Sequence, residues 1–186
     1  MTGRLVYVAG PSGAGKDSLL AWLKEQLAPD APVAFARRTI TRAATEDGEQ
    51  HDSIDMLGFL RLREAGAFGL DWEANGLGYG VRHAELPPRQ DSSVVIVNGS
   101  RAYLPEAARR FPDMTVVHIT ASVRTLRQRL MARGRESAEM VEARVQRALD
   151  FRMPPGLAAI EIHNDDRGLA EAGAQLAHAL GLAAIA

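Results

Sequence analysis

Residues Arg4 to Ala9 (RLVYVA) form a short, β-rich apolar run that leads without a spacer into the glycine segment GPSGAGK. After it comes KDSLLAWLKEQLA, where Leu19, Leu20, Leu23 and Leu27 recur at helical spacing until Pro29 ends the pattern. A strand that enters a glycine turn and leaves as a helix leaves few architectures open. The next strand must return parallel to the first, so the chain is committed to an α/β sheet with crossover helices.

The rest of the sequence repeats that alternation. Val33 to Arg37 reads as a second strand, and Val94 to Val97 (VVIV) and Thr115 to Thr120 (TVVHIT) as buried ones. A helix around Pro105 to Phe111 joins the latter two. Ser122 to Arg133 carries Val123, Leu126 and Leu130 on one helical face. RGRES interrupts, and Ala138 to Arg152 resumes a helical pattern. Ala158 to His163 is a fifth strand, and a last helix begins near Asp166. Residues 38 to 90 differ in texture: they are charged, hold five glycines between 66 and 80, and end in Pro87-Pro88. They read as a loop-rich insertion. The expected fold is a three-layer α/β domain over 1–186, its parallel-sheet core formed by 1–37 and 91–186, with an insertion at about 38–90.

Composition removes several function classes. The hydrophobic fraction of 46% and charged fraction of 24% are those of a globular chain. A formal net charge of -1 gives no global field toward nucleic acid or an anionic membrane, so any anion site has to be local. No cysteine is present, which excludes disulfides and thiolate chemistry. His51, His83, His118, His163 and His178 are scattered without metal-ligand spacing. No stretch reaches the ~18 apolar residues of a membrane span, and the N-terminus does not read as a signal peptide. The expectation is a cytoplasmic protein; its oligomeric state is not legible.

In GPSGAGK the glycines Gly10, Gly13 and Gly15 let backbone N–H groups around Pro11, Ser12 and Ala14 turn toward phosphate oxygens. Lys16 is placed to reach the β- and γ-phosphates of a nucleotide. The next position, where a magnesium-holding hydroxyl is expected, is Asp17, and Ser18 comes one place late. Two readings of Asp17 stand. One is a carboxylate at a helix N-terminus, favoured by the dipole. The other is a magnesium neighbour, since a bare carboxylate beside a triphosphate is repelled and a hard oxygen ligand is not.

Five segments in order, GPSGAGK, ITR (Ile40 to Arg42), YG (Tyr79-Gly80), RGRES (Arg133 to Ser137) with Arg144, and HNDD (His163 to Asp166), resemble the guanylate kinases. GKDSLL, R-x-ITR, ANGLxYG, VNGSRA-x-LP and RGRE are more similar to the ribose 1,5-bisphosphate phosphokinases, guanylate-kinase-like enzymes of bacterial phosphonate breakdown. The Asp after the lysine is shared with that family. The resemblance implies a guanylate-kinase-like P-loop fold with an arginine-rich lid at about 133–140, ATP and Mg²⁺ as cofactors, and a small phosphorylated sugar as substrate.

By the same resemblance, Lys16, Arg42, Arg133, Arg135 and Arg144 act on the transferring phosphoryl group. Gly10 to Ser18 and Asn164 hold the nucleotide, and Asp17 and Ser18 hold the metal. Arg38, Arg42, Glu73, Tyr79, Asn98 and Arg101 bind the acceptor. Departures from true guanylate kinases fit an acceptor without a base: Arg38 stands for a serine, Thr45 for a second arginine, and Asn98 for a magnesium-directing Asp. The missing acid at 98 and the extra one at 17 suggest one metal carboxylate that has moved. For Arg37 and Arg38 the alternative is solvated surface charge; for Arg101 it is solvent; for Asn164 and Asp165, a strand-ending turn. The expected reaction makes 5-phosphoribosyl 1-diphosphate from ribose 1,5-bisphosphate and ATP. The alternatives are a guanylate or other nucleoside monophosphate kinase and an inactive protein-binding module.

Overall fold

The computed structural model describes residues 3–43, 50–88, 94–134, 137–165 and 168–182. A five-stranded sheet has the order β2 (Val33–Phe35), β7 (Val94–Asn98), β1 (Arg4–Ala9), β8 (Thr115–Thr120), β9 (Ala159–His163), and a four-stranded sheet the order β4 (His51–Ser53), β3 (Arg38–Ile40), β6 (Leu77–Arg82), β5 (Phe68–Ala74). The chain divides into two compact units, one of Met1–Tyr7 with Pro32–Thr115 and one of Val8–Ala31 with Val116–Ala186.

Strand β1 (Arg4–Ala9) is buried from Leu5 to Ala9 without the alternation of a half-exposed strand, as a strand covered on both faces must be. In the first unit, β2 (Val33–Phe35) runs parallel to β7 (Val94–Asn98), with Val33 opposite Val94. The second sheet is built from β3 (Arg38–Ile40), β4 (His51–Ser53), β5 (Phe68–Ala74) and β6 (Leu77–Arg82). Helix α2 (Met56–Glu64) starts at Asp55, whose carboxylate accepts from Gly58 N at 2.6 Å. Helix α3 (Leu104–Arg110) has its proline in the first turn, where no N–H is lost.

This sheet corrects the expectation of a loop-rich stretch at 38–90. Two of the glycines there are strand residues that make room for rings: a Cβ at Gly78 would crowd Phe59, and one at Gly80 would overlap Phe68. The two rings stack at 5.2 Å. A third, Gly76, forms with Asn75 the two-residue turn between β5 and β6, both at positive φ (52° and 75°), while Ala74 pairs with Leu77.

In the second unit, helix α1 (Lys16–Gln26) buries Leu19, Leu20 and Leu23 and ends at Leu27, whose backbone is extended. Strands β8 (Thr115–Thr120) and β9 (Ala159–His163) pair in parallel. Helix α4 (Val123–Ala132) is capped by Ser122, whose hydroxyl accepts from Thr125 N at 3.2 Å. Helix α5 (Ala138–Leu149) is capped in the same way by Ser137. Helix α6 (Leu169–Leu180) lies against α1, and Gly173 is the contact point: any Cβ there would overlap the Trp22 ring. Asp166, where the sequence suggests this helix begins, is outside the described residues. Among the described residues, no helix is long and apolar enough to cross a membrane.

Candidate active site

The glycine loop of the second unit is shaped by its surroundings as much as by its own residues. Gly10 follows β1 so closely under β8 that a Cβ would overlap the carbonyl oxygen of Ile119. Gly13 and Gly15 have φ of 88° and 80°, the left-handed region where other residues are strained. Gly15 caps α1, and no side chain supplies a capping bond there, so the helix N-terminus is set up for an anion.

Three carbonyls of the loop are held by side-chain donors. Lys16 Nζ donates to Gly10 O at 2.9 Å, Arg129 Nη1 to Gly13 O at 3.3 Å, and Asn164 Nδ2 to Ala14 O at 2.8 Å. Arg144 Nη1 donates to the Ser12 hydroxyl at 2.8 Å. A trans peptide is planar with N–H opposed to C=O, so by holding the Ala14 carbonyl Asn164 aims the Gly15 N–H the other way. Asn164 is 2% exposed, and its own N–H donates to Thr120 O at 2.8 Å. Its amide therefore touches the loop backbone. Asp165, beside it, accepts from Ser122 N at 2.6 Å, and that bond holds its carboxyl below the usual carboxylate range.

Asp17 and Ser18 sit exposed in the first turn of α1. Among the described residues, no three His, Asp or Glu side chains group as a metal site. Two hard oxygens fit Mg²⁺, a cation that keeps several waters and takes further ligands from substrate phosphates. Arg133 closes α4 as an exposed C-cap. Arg135 and Thr45 lie outside the described residues.

The first unit gathers most of the acceptor candidates. Arg38 is only 8% exposed, donates from Nη1 to Asn98 O at 3.2 Å, and lies 5.3 Å from the centroid of the Tyr79 ring. Tyr79 stacks on Trp72 at 5.5 Å with the rings 4° from parallel, and Trp72 stacks on Tyr103 at 5.5 Å. Asn98, the last residue of β7, is buried, and Arg101 is half-buried in the turn that follows. Arg42 is exposed just after β3, and its carbonyl accepts from the Ser53 hydroxyl at 2.7 Å.

Glu73 is placed differently from the other acceptor candidates. Its carboxylate is paired with Arg63 at 2.9 Å, and the same guanidinium holds Asp71 at 2.9 Å while lying 4.8 Å from the Phe59 ring centroid. Sequence reasoning missed Trp72, Tyr103 and Arg63. Trp72 shares a face of β5 with no charged residue, so only its pairing with Tyr79 across the hairpin reveals it. The Asn75-Gly76 turn would have predicted that register.

No protein-family model matches the chain. Over 94% of its length it is 45% identical to a ribose 1,5-bisphosphate phosphokinase (PhnN) of Janthinobacterium sp. (strain Marseille), and it spans 38% of that protein. It is 42% identical over 96% of its length to a ribose 1,5-bisphosphate phosphokinase of Thiobacillus denitrificans, and spans 93% of it. Among solved structures it is similar to a guanylate kinase from Anaplasma phagocytophilum, with a TM-score of 0.64 at 16% identity, covering 97% of this chain and 85% of that one. That likeness establishes a guanylate-kinase-like fold, and the sequence relatives establish the family: the chain belongs to the ribose 1,5-bisphosphate phosphokinases.

Proposed function

We propose that the protein transfers the γ-phosphoryl group of ATP to the 1-phosphate of ribose 1,5-bisphosphate, giving ADP and 5-phosphoribosyl 1-diphosphate. A 1-phosphate oxygen forms the new bond to phosphorus as the bond to the β–γ bridging oxygen breaks, and the electron pair leaves with ADP. The observation that carries this reading is a glycine loop built around Lys16 in the same chain as a buried guanidinium, Arg38. The first suits a nucleoside triphosphate. The second suits an acceptor bearing phosphate, because a guanidinium fork pairs with phosphate bidentately and stays charged when buried.

The attacking group needs no general base. A sugar phosphate has its second pKa at ~6 and is largely dianionic at neutral pH. The protein's task is to bring like-charged groups together, so catalysis rests on alignment and charge neutralisation. Lys16, Arg144 and Arg133 supply fixed cations on the donor side, and Arg135 joins them by sequence. Arg38, Arg42 and Arg101 do so for the acceptor, with Tyr79 as a hydroxyl donor and Asn98 facing the sugar. Asp17 and Ser18 would hold the magnesium, whose charge would offset that developing on the transferring phosphoryl group. The Arg63 pairing of Glu73 and Asp71 keeps two carboxylates from repelling an anionic substrate. A cytoplasmic location and a part in phosphonate breakdown complete the proposal.

The test is a coupled assay with ATP and magnesium, comparing ribose 1,5-bisphosphate with GMP. We expect kcat/KM for the sugar bisphosphate to exceed that for GMP by at least about 100-fold, a difference of ~2.7 kcal/mol in transition-state binding. Preference for GMP would make the protein a nucleoside monophosphate kinase. Turnover of neither, with no ATP binding, would make it a binding module.

A further inference from the structure

We infer that Tyr7 is a positioning residue for the segment Asn98 to Arg101, which holds the acceptor; the inference rests on the acceptor reading above. In sequence Tyr7 is one of five consecutive apolar residues of β1 and reads as a core aromatic. Its ring is fully buried. Its hydroxyl, though, donates to Ser100 O at 3.0 Å and accepts from Ser100 N at 2.9 Å. One phenol thus answers both backbone groups of a single residue that lies 93 positions away.

The fit is mutual. The Tyr7 ring occupies the space a side chain at position 99 would need, since a Cβ on Gly99 would overlap Cζ and crowd the hydroxyl. The Ser100 carbonyl also accepts from Tyr103 N at 3.2 Å, and Arg101 O accepts from Leu104 N at 3.3 Å, so the turn into α3 starts at the residue Tyr7 grips. On the other side of Gly99, the Asn98 carbonyl is held by Arg38 at 3.2 Å. Tyr7 and Arg38 together fix both ends of a three-residue stretch, Asn98-Gly99-Ser100, and with it the departure of Arg101. Burial pushes the Tyr7 hydroxyl well above its ordinary pKa, so it remains a proton donor across the working range.

Tyr7→Phe keeps the ring and removes only the oxygen. Ser100 N–H then loses its acceptor, and the Ser100 carbonyl loses the phenol while keeping the Tyr103 amide. With steady-state kinetics on the whole protein, we expect KM for ribose 1,5-bisphosphate to rise about tenfold, the scale of one lost hydrogen bond at a site that uses it, with KM for ATP within about twofold. Leu176→Ala, a cavity in α6 of the other unit, serves as a control for lost stability. It should lower the melting temperature and leave both KM values unchanged. Equal rises of both KM values in Tyr7→Phe, or no rise beside a lowered melting temperature, would overturn the inference. If the wild-type protein does not turn over ribose 1,5-bisphosphate, the acceptor reading falls first. The same KM split, measured with whichever acceptor is used, then decides the role of Tyr7.

Discussion

Asn164 acts on the glycine loop through the backbone. Its side-chain amide is buried and spent on the Ala14 carbonyl, and through that planar peptide it sets the direction of the Gly15 N–H. Asn164→Ala leaves the carbonyl with only the longer bond from Arg129 Nη1 at 3.5 Å and relaxes the loop. The expected outcome is a rise of about tenfold in KM for ATP, an unchanged KM for the acceptor, and a stability loss of ~1–3 kcal/mol by denaturant unfolding. An unchanged KM for ATP would reduce Asn164 to a strand-ending turn, the alternative its sequence leaves open. The loop glycines and Lys16 are legible in sequence because a phosphate-cradling turn demands glycines at set spacing and a lysine after them, and Asp17 is legible as the departure from that order. Tyr7 is not, because its partner Ser100 lies 93 positions away, and Trp72 and Arg63 are not, because their partners lie on neighbouring elements. Glu73 exposes the reverse limit: its identity suggested a substrate contact, and only the structure reveals Arg63 against it.

At the scale of elements, the legible features are those with a period or a cap. The buried strands β1, β7 and β8 appear as apolar runs, and α4 and α5 each begin at a serine. The second sheet is hidden because β3 and β4 have three residues each and β6 carries Gly78 and Gly80, which look like loop until the rings above them are known. The start of α4 carries a pH signature. Asp165 accepts from the Ser122 N–H, and its pKa is lowered relative to an unfolded carboxyl at ~3.9. A depressed folded pKa contributes stability that is present above the unfolded pKa and is lost as pH falls through the folded one. Asp165→Asn should therefore melt below the wild type at pH 7, and the gap should narrow as the pH drops below about 4. A gap that stays constant over that range would mean the carboxylate charge contributes nothing there.

For the whole molecule, a net charge of -1 means that phosphate affinity is a matter of local clustering. Arg129 and Arg144 meet the glycine loop in one unit, while Arg38, Arg42 and Arg101 belong to the other. Magnesium–ADP at about 100 times its Kd should stabilise the fold by ~2.7 kcal/mol, which in a thermal melt is a shift of roughly 5–10 °C. Lys16→Met should abolish the shift, and its persistence in that variant would move the nucleotide away from the glycine loop.

The chain has two tryptophans, and they fall one to each compact unit. Trp22 is pressed on Gly173, and Trp72 is sandwiched between Tyr79 and Tyr103. The molecule thus carries its own pair of fluorophores. With Trp22→Phe, the remaining indole reports on the unit that holds Arg38 and Asn98. With Trp72→Phe, the emission comes from the glycine-loop helix alone. Unfolding, or the arrival of either substrate, can then be followed unit by unit without any label.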